Sequence, residues 1–121
     1  MTKQFEELEV YKDSRLLTKE IYLLTEKRIK GKDYSLSDQM RRASVSIMSN
    51  IAEGYERNSK NEFARFLLIA KGSSGELRSH LSVAFDMKYI DIEEYENLTQ
   101  KSMLISAMIF GLIRYLKSKK T

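Results

Sequence analysis

The chain has 121 residues, a length typical of one domain, and 42% of them are hydrophobic, enough for a core that needs no metal or disulfide. It contains no cysteine, which excludes cysteine nucleophiles, thiolate zinc sites and disulfide frameworks. The net charge of +4 is compatible with an acidic partner such as nucleic acid, because Lys and Arg displace counterions from phosphates. Ala, Glu, Lys, Leu and Arg make up nearly half of the chain and proline is absent, which favours an all-α protein.

The first predicted helix runs from about Leu8 to Ile29, with Val10, Leu17, Ile21 and Leu24 at helical spacing. Its end is indicated by the cationic segment 27–30 followed by glycine, since cations favour the carbonyl end of a helix. The second predicted helix starts with Ser35 as N-cap and closes at Gly54. Its core positions recur at spacings of four, three, four and four: Leu36, Met40, Ala43, Ile47 and Ile51.

The third and fourth predicted helices each begin with a capping box, at Ser59–Glu62 and at Asp91–Glu94. The third should run to about Lys88, although Gly72 and Gly75 interrupt it at a cost of about 1 kcal/mol each relative to Ala. We expect a neighbouring helix backbone to approach closely at these glycines, which would compensate that cost. In the fourth, apolar residues alternate four and three apart, as in a heptad seam.

Four amphipathic segments with short connections predict an all-α, up-down-up-down four-helix bundle comprising residues 1–121 as a single domain. The acidic start of the chain lacks a secretory apolar region, and the longest apolar stretch, Met103 to Leu116, is too short to span a membrane. We therefore expect a cytoplasmic protein that does not bind membranes.

That last apolar stretch covers nearly every direction around its helix axis, although only one face can point into a bundle. Leu104, Met108 and Tyr115 would form an exposed patch larger than a monomer normally tolerates. The pattern predicts a homo-oligomer whose contacts involve the fourth helix and also the first. The alternative is a monomer with an unusually wide core face.

Sequence motifs for catalysis are weak. His80 follows Glu76 by four residues, whereas di-iron bundles use a spacing of three on two helices. The glycines at 72 and 75 lie within a helix rather than after a strand, so they do not form a phosphate loop. With one histidine there is no convincing Ser-His-Asp set. We expect a protein that is not an enzyme and that carries no metal or cofactor.

A row of polar residues shares one face of the second helix, beside the apolar stripe: Gln39, Arg42, Ser46, Asn50 and Glu53. One interpretation is a hydrogen-bonded seam between helices, in which Arg42 pairs with a carboxylate and the register is fixed. The other is a ligand-binding face. The structural interpretation is favoured, because buried polar groups must be paired.

Basic residues gather mainly at the two ends of the predicted bundle and along its second and third helices. Each alone is most often a solvated charge, but a ring of subunits would repeat every cluster around an axis and create a positive rim. The candidate nucleic-acid-binding residues are Arg41, Arg57, Lys60, Arg65, Lys71, Arg78, Lys117, Lys119 and Lys120.

Several long motifs resemble the family of four-helix-bundle proteins encoded in intervening sequences of bacterial 23S rRNA genes. The resemblance covers nearly the whole chain, and the motifs that carry it are Phe5–Tyr11, Gln39–Gly54, Glu62–Ser73 and Glu76–Leu77. Tyr11 stands where that family often has Trp, and Met48 where Pro is common. The family's relatives include the accessory protein of diversity-generating retroelements, a barrel-like pentamer that works with a reverse transcriptase and RNA. The resemblance implies a pentamer with a basic surface and no active site.

Two functions remain open at this stage. The first is an oligomeric module that binds RNA or DNA through phosphates with little sequence preference. The second is a protein-interaction scaffold, or an accessory subunit of a nucleic-acid enzyme such as a reverse transcriptase, in which the charges serve steering and solubility.

Overall fold

The computed structural model describes residues 3–118, which form four long helices in sequence: α1 (Glu9–Leu24), α2 (Tyr34–Glu56), α3 (Lys60–Asp86) and α4 (Ile92–Ser118). A single 3-10 turn, Phe5–Glu7, precedes α1. Residues 3–118 contain no β-strand, which confirms the all-α prediction. No helix in this range is long and apolar enough to cross a lipid bilayer.

Neighbouring helices run antiparallel, as contacts between α1 and α4 illustrate. Arg28, just beyond the end of α1, binds Glu94 at the start of α4, whereas Glu20 in the middle of α1 binds Lys101 further along α4. The α2–α3 and α3–α4 pairs pack most extensively, and α1 packs more loosely against α4. The bundle therefore leaves the α1–α4 side the least tightly closed.

The end of the first helix differs from the prediction. The α-helix stops at Leu24 and continues as a wider π-helical turn, Thr25–Ile29, closed by a 2.8 Å bond from the Lys30 amide to the Thr25 carbonyl. Arg28 follows buried Leu24 by four residues and buried Thr25 by three, so an unbroken α-helix would place it on the buried face. The wider turn places Ile29 in the core instead and leaves Arg28 to reach Glu94.

The start and end of the second helix also differ. Its N-cap is Asp33 rather than Ser35, because the Asp33 carboxylate accepts a 3.0 Å bond from the Leu36 amide. The helix continues past Gly54 to Glu56. Gly54 is therefore an interior helix residue, and its lack of a side chain serves packing rather than helix termination.

The N-caps predicted for the third and fourth helices are present, although the capping box predicted at Ser59–Glu62 forms in one direction only, because the Glu62 carboxylate pairs with Arg57 and Arg65. The Ser59 hydroxyl accepts a bond from the Glu62 amide at 3.3 Å. At Asp91 the capping box is reciprocal: the Asp91 carboxylate accepts from the Glu94 amide at 2.8 Å, and the Glu94 carboxylate accepts from the Asp91 amide at 2.9 Å.

The core consists of one continuous apolar cluster contributed by all four helices. The predicted stripe of α2 is buried. Of the stripe predicted for the third helix, Phe66 is only half-buried, whereas the other members are buried: Phe63, Ala70, Leu77, Leu81 and Ala84. On α4 the seam residues Leu98, Ser102, Ile105 and Ile109 are buried, while Leu112 and Leu116 are partly covered. The most completely enclosed large side chains are Leu17, Ile21, Ile29, Met40, Ile47, Ile51, Leu67, Leu77, Leu81 and Ile109.

The predicted close approach at Gly72 and Gly75 is wrong. A Cβ added at Gly72 would meet no atom within 4 Å, and one at Gly75 would meet only the side chain of Arg78, at 3.7 Å. The close approach lies at Gly54, where an added Cβ would come within 2.6 Å of the Phe66 Cβ on α3. Gly54 lies near the end of α2 that connects to α3, whereas Gly72 and Gly75 lie in the middle of α3.

Candidate nucleic-acid interface

The positive charge of Arg41 on α2 is offset by a nearby carboxylate. Its guanidinium forms a 3.1 Å ion pair with Glu26, donates to the Thr25 hydroxyl at 2.9 Å and stacks on the Tyr22 ring at 4.7 Å. Hydrogen bonding from Arg41, with a smaller contribution from Lys30, lowers the pKa of Glu26 below its usual range. Arg41 therefore contributes less positive potential than the sequence suggested, because a carboxylate that stays charged offsets it.

Arg57 and Arg65 are offset in the same way where α2 passes into α3. Both pair with Glu62, at 3.5 and 3.1 Å, and Arg57 also pairs with Glu53 at 3.0 Å. The hydrogen bond from Arg65 lowers the pKa of Glu62. Both guanidinium groups lie near the Phe66 ring, at 4.9 and 4.5 Å from its centroid. This arrangement is a local ion-pair cluster more than a site for an external phosphate.

A different situation exists between α3 and α4, where Lys71, Arg78 and Arg114 lie around Phe110. The Lys71 ammonium is 6.0 Å and the Arg114 guanidinium 5.8 Å from the centre of that ring, which is half exposed. Within residues 3–118, none of the three cations forms an ion pair with a carboxylate. We call these four residues the α3/α4 basic face.

A shallow depression opens on the α3/α4 basic face. Its volume is about 370 Å³, and its lining combines two cations with an aromatic ring and small or flexible apolar groups. The lining residues are Lys71, Arg78, Met103, Ser106, Ala107 and Phe110. Positive charge beside an exposed ring suits the phosphates and base faces of nucleic acids.

The position of Arg78 is fixed by two buried serines. Ser74 of α3 and Ser102 of α4 lie 2.7 Å apart, and each hydroxyl also bonds the other residue's carbonyl, at 3.0 and 3.1 Å. Arg78 Nη1 donates to both hydroxyls, at 3.0 and 3.2 Å. The serine pair thus sets the register between α3 and α4 and holds the guanidinium at the edge of the depression.

Sequence analysis selected Lys71 and Arg78 but missed Phe110, Arg114 and the serine pair. A signal for each existed. Arg114 is the one cation in an otherwise apolar run and follows Phe110 by four residues, so the two share a helix face. Ser102 occupies a heptad core position, where a hydroxyl needs a partner. The sequence alone does not show which residue is that partner, because this depends on how α3 packs against α4.

The remaining lysine candidates lie near one end of the bundle. Lys60 is the first residue of α3 and Lys117 lies in the last turn of α4, and both are exposed. Within the described chain neither forms an ion pair. Lys119 and Lys120 lie outside the described residues.

The polar row of α2 makes a cross-helix bond at one residue. Ser46 lies 2.9 Å from the Ser73 hydroxyl of α3, and Asn50 supports it by donating to its carbonyl at 2.8 Å and its hydroxyl at 3.0 Å. The other three members are exposed and bond within α2 or just past its end: Gln39 to Ser35, Arg42 to Asp38 and Glu53 to Arg57.

The residues selected as subunit contacts differ in exposure. Leu104 is 61% and Tyr115 56% exposed, whereas Met108 is partly buried against the core. On α1, Leu16 and Leu23 are as exposed as Leu104, and Leu16 and Leu104 line a depression of about 250 Å³ between the two helices. We call Leu16, Leu23 and Leu104 the α1/α4 leucine patch.

His80 is half-buried on the opposite side of α3, where it lines a depression with Glu76, Gln39, Arg42, Ala43 and Ser46. Residues 3–118 contain no cluster of three or more His, Cys, Asp or Glu side chains that could hold a metal ion.

Comparison with known proteins identifies the family. The model of the 23S rRNA-intervening sequence protein family matches residues 6–111. The chain belongs to this family. A crystal structure described as that of a protein with unknown function from the S23 ribosomal protein family of Bacteroides thetaiotaomicron superimposes with a TM-score of 0.78 at 26% identity. The match covers 86% of this chain and 97% of that one. No curated protein matches the sequence. Lys71, Arg78 and Phe110 of the α3/α4 basic face lie within the segment that the family model covers, whereas Arg114 lies beyond its end.

Proposed function

We propose that this protein is a non-enzymatic helical module that binds RNA or DNA through backbone phosphates on the α3/α4 basic face. One observation carries the proposal: Lys71, Arg78 and Arg114 surround an exposed aromatic ring without a carboxylate partner in residues 3–118. Elsewhere the arginines selected from the sequence already have carboxylate partners, so they gain less from a phosphate.

The chemistry of these groups favours phosphate contacts without base reading. Unpaired Lys and Arg side chains release counterions when they neutralise phosphates, which supplies affinity for any sequence. Base-specific reading requires side chains that enter a groove with defined donor and acceptor patterns. The depression on this face is shallow and its polar groups are mainly cationic, so we expect little sequence preference.

Self-association is the second part of the proposal. Burying the α1/α4 leucine patch against another copy would remove three large apolar side chains from water. A closed ring would then repeat each basic face around its axis and raise the local positive potential. Five copies are the number that the resemblance to the retroelement accessory protein supports.

Salt-dependent binding to a labelled RNA of mixed sequence tests the phosphate contacts. We expect affinity to fall by orders of magnitude between about 50 and 200 mM salt. Lys71→Ala and Arg114→Gln should each lower the slope of log affinity against log salt by about 0.7 to 0.9, one phosphate contact each. The matched controls Lys19→Ala and Arg15→Gln change exposed cations on α1, which contributes no residue to the α3/α4 basic face, and should leave binding less affected. Equal effects of all four variants, or no binding at low salt, would overturn the proposal.

A second candidate function is docking of a nucleic-acid enzyme such as a reverse transcriptase. The α1/α4 leucine patch favours it, because an apolar patch beside the Glu20–Lys101 ion pair also suits a protein partner. A pull-down from nuclease-treated lysate with wild-type protein and with Leu104→Ser distinguishes docking of an enzyme from nucleic-acid binding. A polymerase captured by the wild type alone would support docking, and its absence would leave nucleic-acid binding as the function.

A further inference from the structure

We propose that the depression on the α3/α4 basic face is a single-strand site, in which one base stacks on Phe110 and the adjoining phosphate binds between Lys71 and Arg78. This inference rests on the proposed function and specifies its ligand as single-stranded nucleic acid. It depends on two features of the depression: the half-exposed ring and the fixed guanidinium.

Arg78 is prepared for a phosphate before any ligand arrives. Its Nη1 is bound by Ser74 and Ser102, whereas its Nε and Nη2 form no hydrogen bond with residues 3–118. Because both serines are fully buried and bonded to each other, the guanidinium is held in one orientation. An arginine oriented in advance loses less side-chain entropy when it binds an oxyanion.

Phe110 supplies a surface that a stacked duplex cannot use. Phe110 is 51% exposed and Met103, which lines the same depression, is 56% exposed, so both residues are available to a flat apolar ligand. In a duplex the base faces are covered by their neighbours, and only phosphates and groove edges reach the protein. A single strand offers base faces, and stacking on an aromatic side chain tolerates any base.

The dimensions fit one nucleotide unit. The depression, at about 370 Å³, falls within the range of small-ligand sites. Lys71 on α3 and Arg114 on α4 both lie about 6 Å from the Phe110 ring centre, so each of the two helices places a cation beside the ring. A strand crossing the ring would therefore have cations near the phosphates that adjoin the stacked base.

Competition between a short RNA of mixed sequence and its duplex tests the inference. Wild-type protein should bind the single strand about tenfold more tightly, the factor expected from one stacked base. Phe110→Leu should abolish this preference, reducing single-strand affinity about tenfold while leaving duplex affinity and the salt slope unchanged. Phe110→Tyr, which keeps a ring, should retain the preference.

Two controls make the result specific. Tyr34→Leu removes another exposed aromatic residue, at the start of α2, and should change nothing. A 2-aminopurine base in the single strand should be quenched on binding to wild type and Phe110→Tyr, and not quenched by Phe110→Leu. Thermal unfolding of each variant establishes that the bundle remains folded.

The outcomes separate this inference from the proposed function. Equal wild-type affinity for single strand and duplex, or an unchanged preference in Phe110→Leu, would overturn the single-strand site while leaving phosphate binding intact. Absence of binding to either form at low salt would overturn both.

Discussion

Gly54 on α2 and Phe66 on α3 lie so close that a Cβ on Gly54 would come within 2.6 Å of the Phe66 Cβ. The nearest atoms of the neighbouring Phe63 would be its Cδ1 at 3.1 Å and its backbone Cα at 3.4 Å. Because two of these three atoms belong to the backbone or adjoin it, rotating a side chain cannot make room. The α2–α3 connection is therefore tight enough that glycine is required at this point of the helix.

Gly54→Ala should lower the free energy of unfolding by about 2 kcal/mol, since the cost of overpacking exceeds the gain in helix propensity. Gly72→Ala is the matched control, because the space around Gly72 is open. It should raise the free energy of unfolding by about 0.5 to 1 kcal/mol. Urea unfolding followed by circular dichroism measures both, and stabilisation by Gly54→Ala would contradict the packing described here.

The reciprocal bonds between Ser74 and Ser102 predict coupled effects on stability. Either single change to Ala leaves a buried hydroxyl with fewer partners and should cost about 1 to 3 kcal/mol. The double variant Ser74→Ala/Ser102→Ala should cost less than the sum by about 1 kcal/mol, because the contact between the two hydroxyls is already lost in each single variant and is lost only once in the double variant. Urea unfolding of the four proteins completes the cycle. Strict additivity would mean that the pair does not act as a unit.

Leu104→Ser should weaken self-association about tenfold, because it removes the apolar surface of one leucine that the contact between copies would bury. Light scattering over a dilution series measures the change. Leu68→Ser is the control, since Leu68 on α3 is equally exposed at 62% but lies outside the α1/α4 leucine patch. A wild-type protein that remains a single 14.2 kDa chain at all concentrations would refute the predicted oligomer.

The Glu26–Arg41 ion pair predicts how stability depends on pH. The hydrogen bond from Arg41 lowers the folded-state pKa of Glu26 below its value in the unfolded chain, so the pair stabilises the fold at any pH above the unfolded-state pKa. The stabilisation is lost as the pH falls through the folded pKa. The difference in unfolding free energy between wild type and Glu26→Gln should therefore shrink steadily on acidification below about pH 5. Glu56→Gln, which removes an exposed carboxylate with no ion pair in the described chain, is the control for the loss of a negative charge alone.

The helices themselves were predictable because their periodicity and caps are local properties. Ser59 and Asp91 start helices as the sequence indicated, and the buried stripes follow the expected spacing. Asp33 was missed as the N-cap because Ser35, two residues later, also has a side-chain oxygen that can accept a hydrogen bond from a backbone amide. The choice between them depends on how the preceding turn is closed.

The candidate site was less predictable, because it depends on which charges meet. A sequence shows that Arg57 and Arg65 are basic, but not that both guanidinium groups pair with the same carboxylate, that of Glu62. It equally hides that Lys71, Arg78 and Arg114 have no such carboxylate and lie around one ring. Packing of α3 against α4 decides both points, and that packing follows from contacts distant in the chain.

The π-helical turn at residues 25–29 changes the phase of the first helix before it ends. Up to Leu24 the buried positions of α1 follow a regular α-helical period, and Thr18 bonds the Ser44 carbonyl of α2. Within the turn, Arg28 forms ion pairs with Asp91 and Glu94 at the start of α4. The change of phase thus allows the segment before the turn to pack against α2 and the segment within the turn to bind the start of α4, although the two contacts require different rotations about the helix axis.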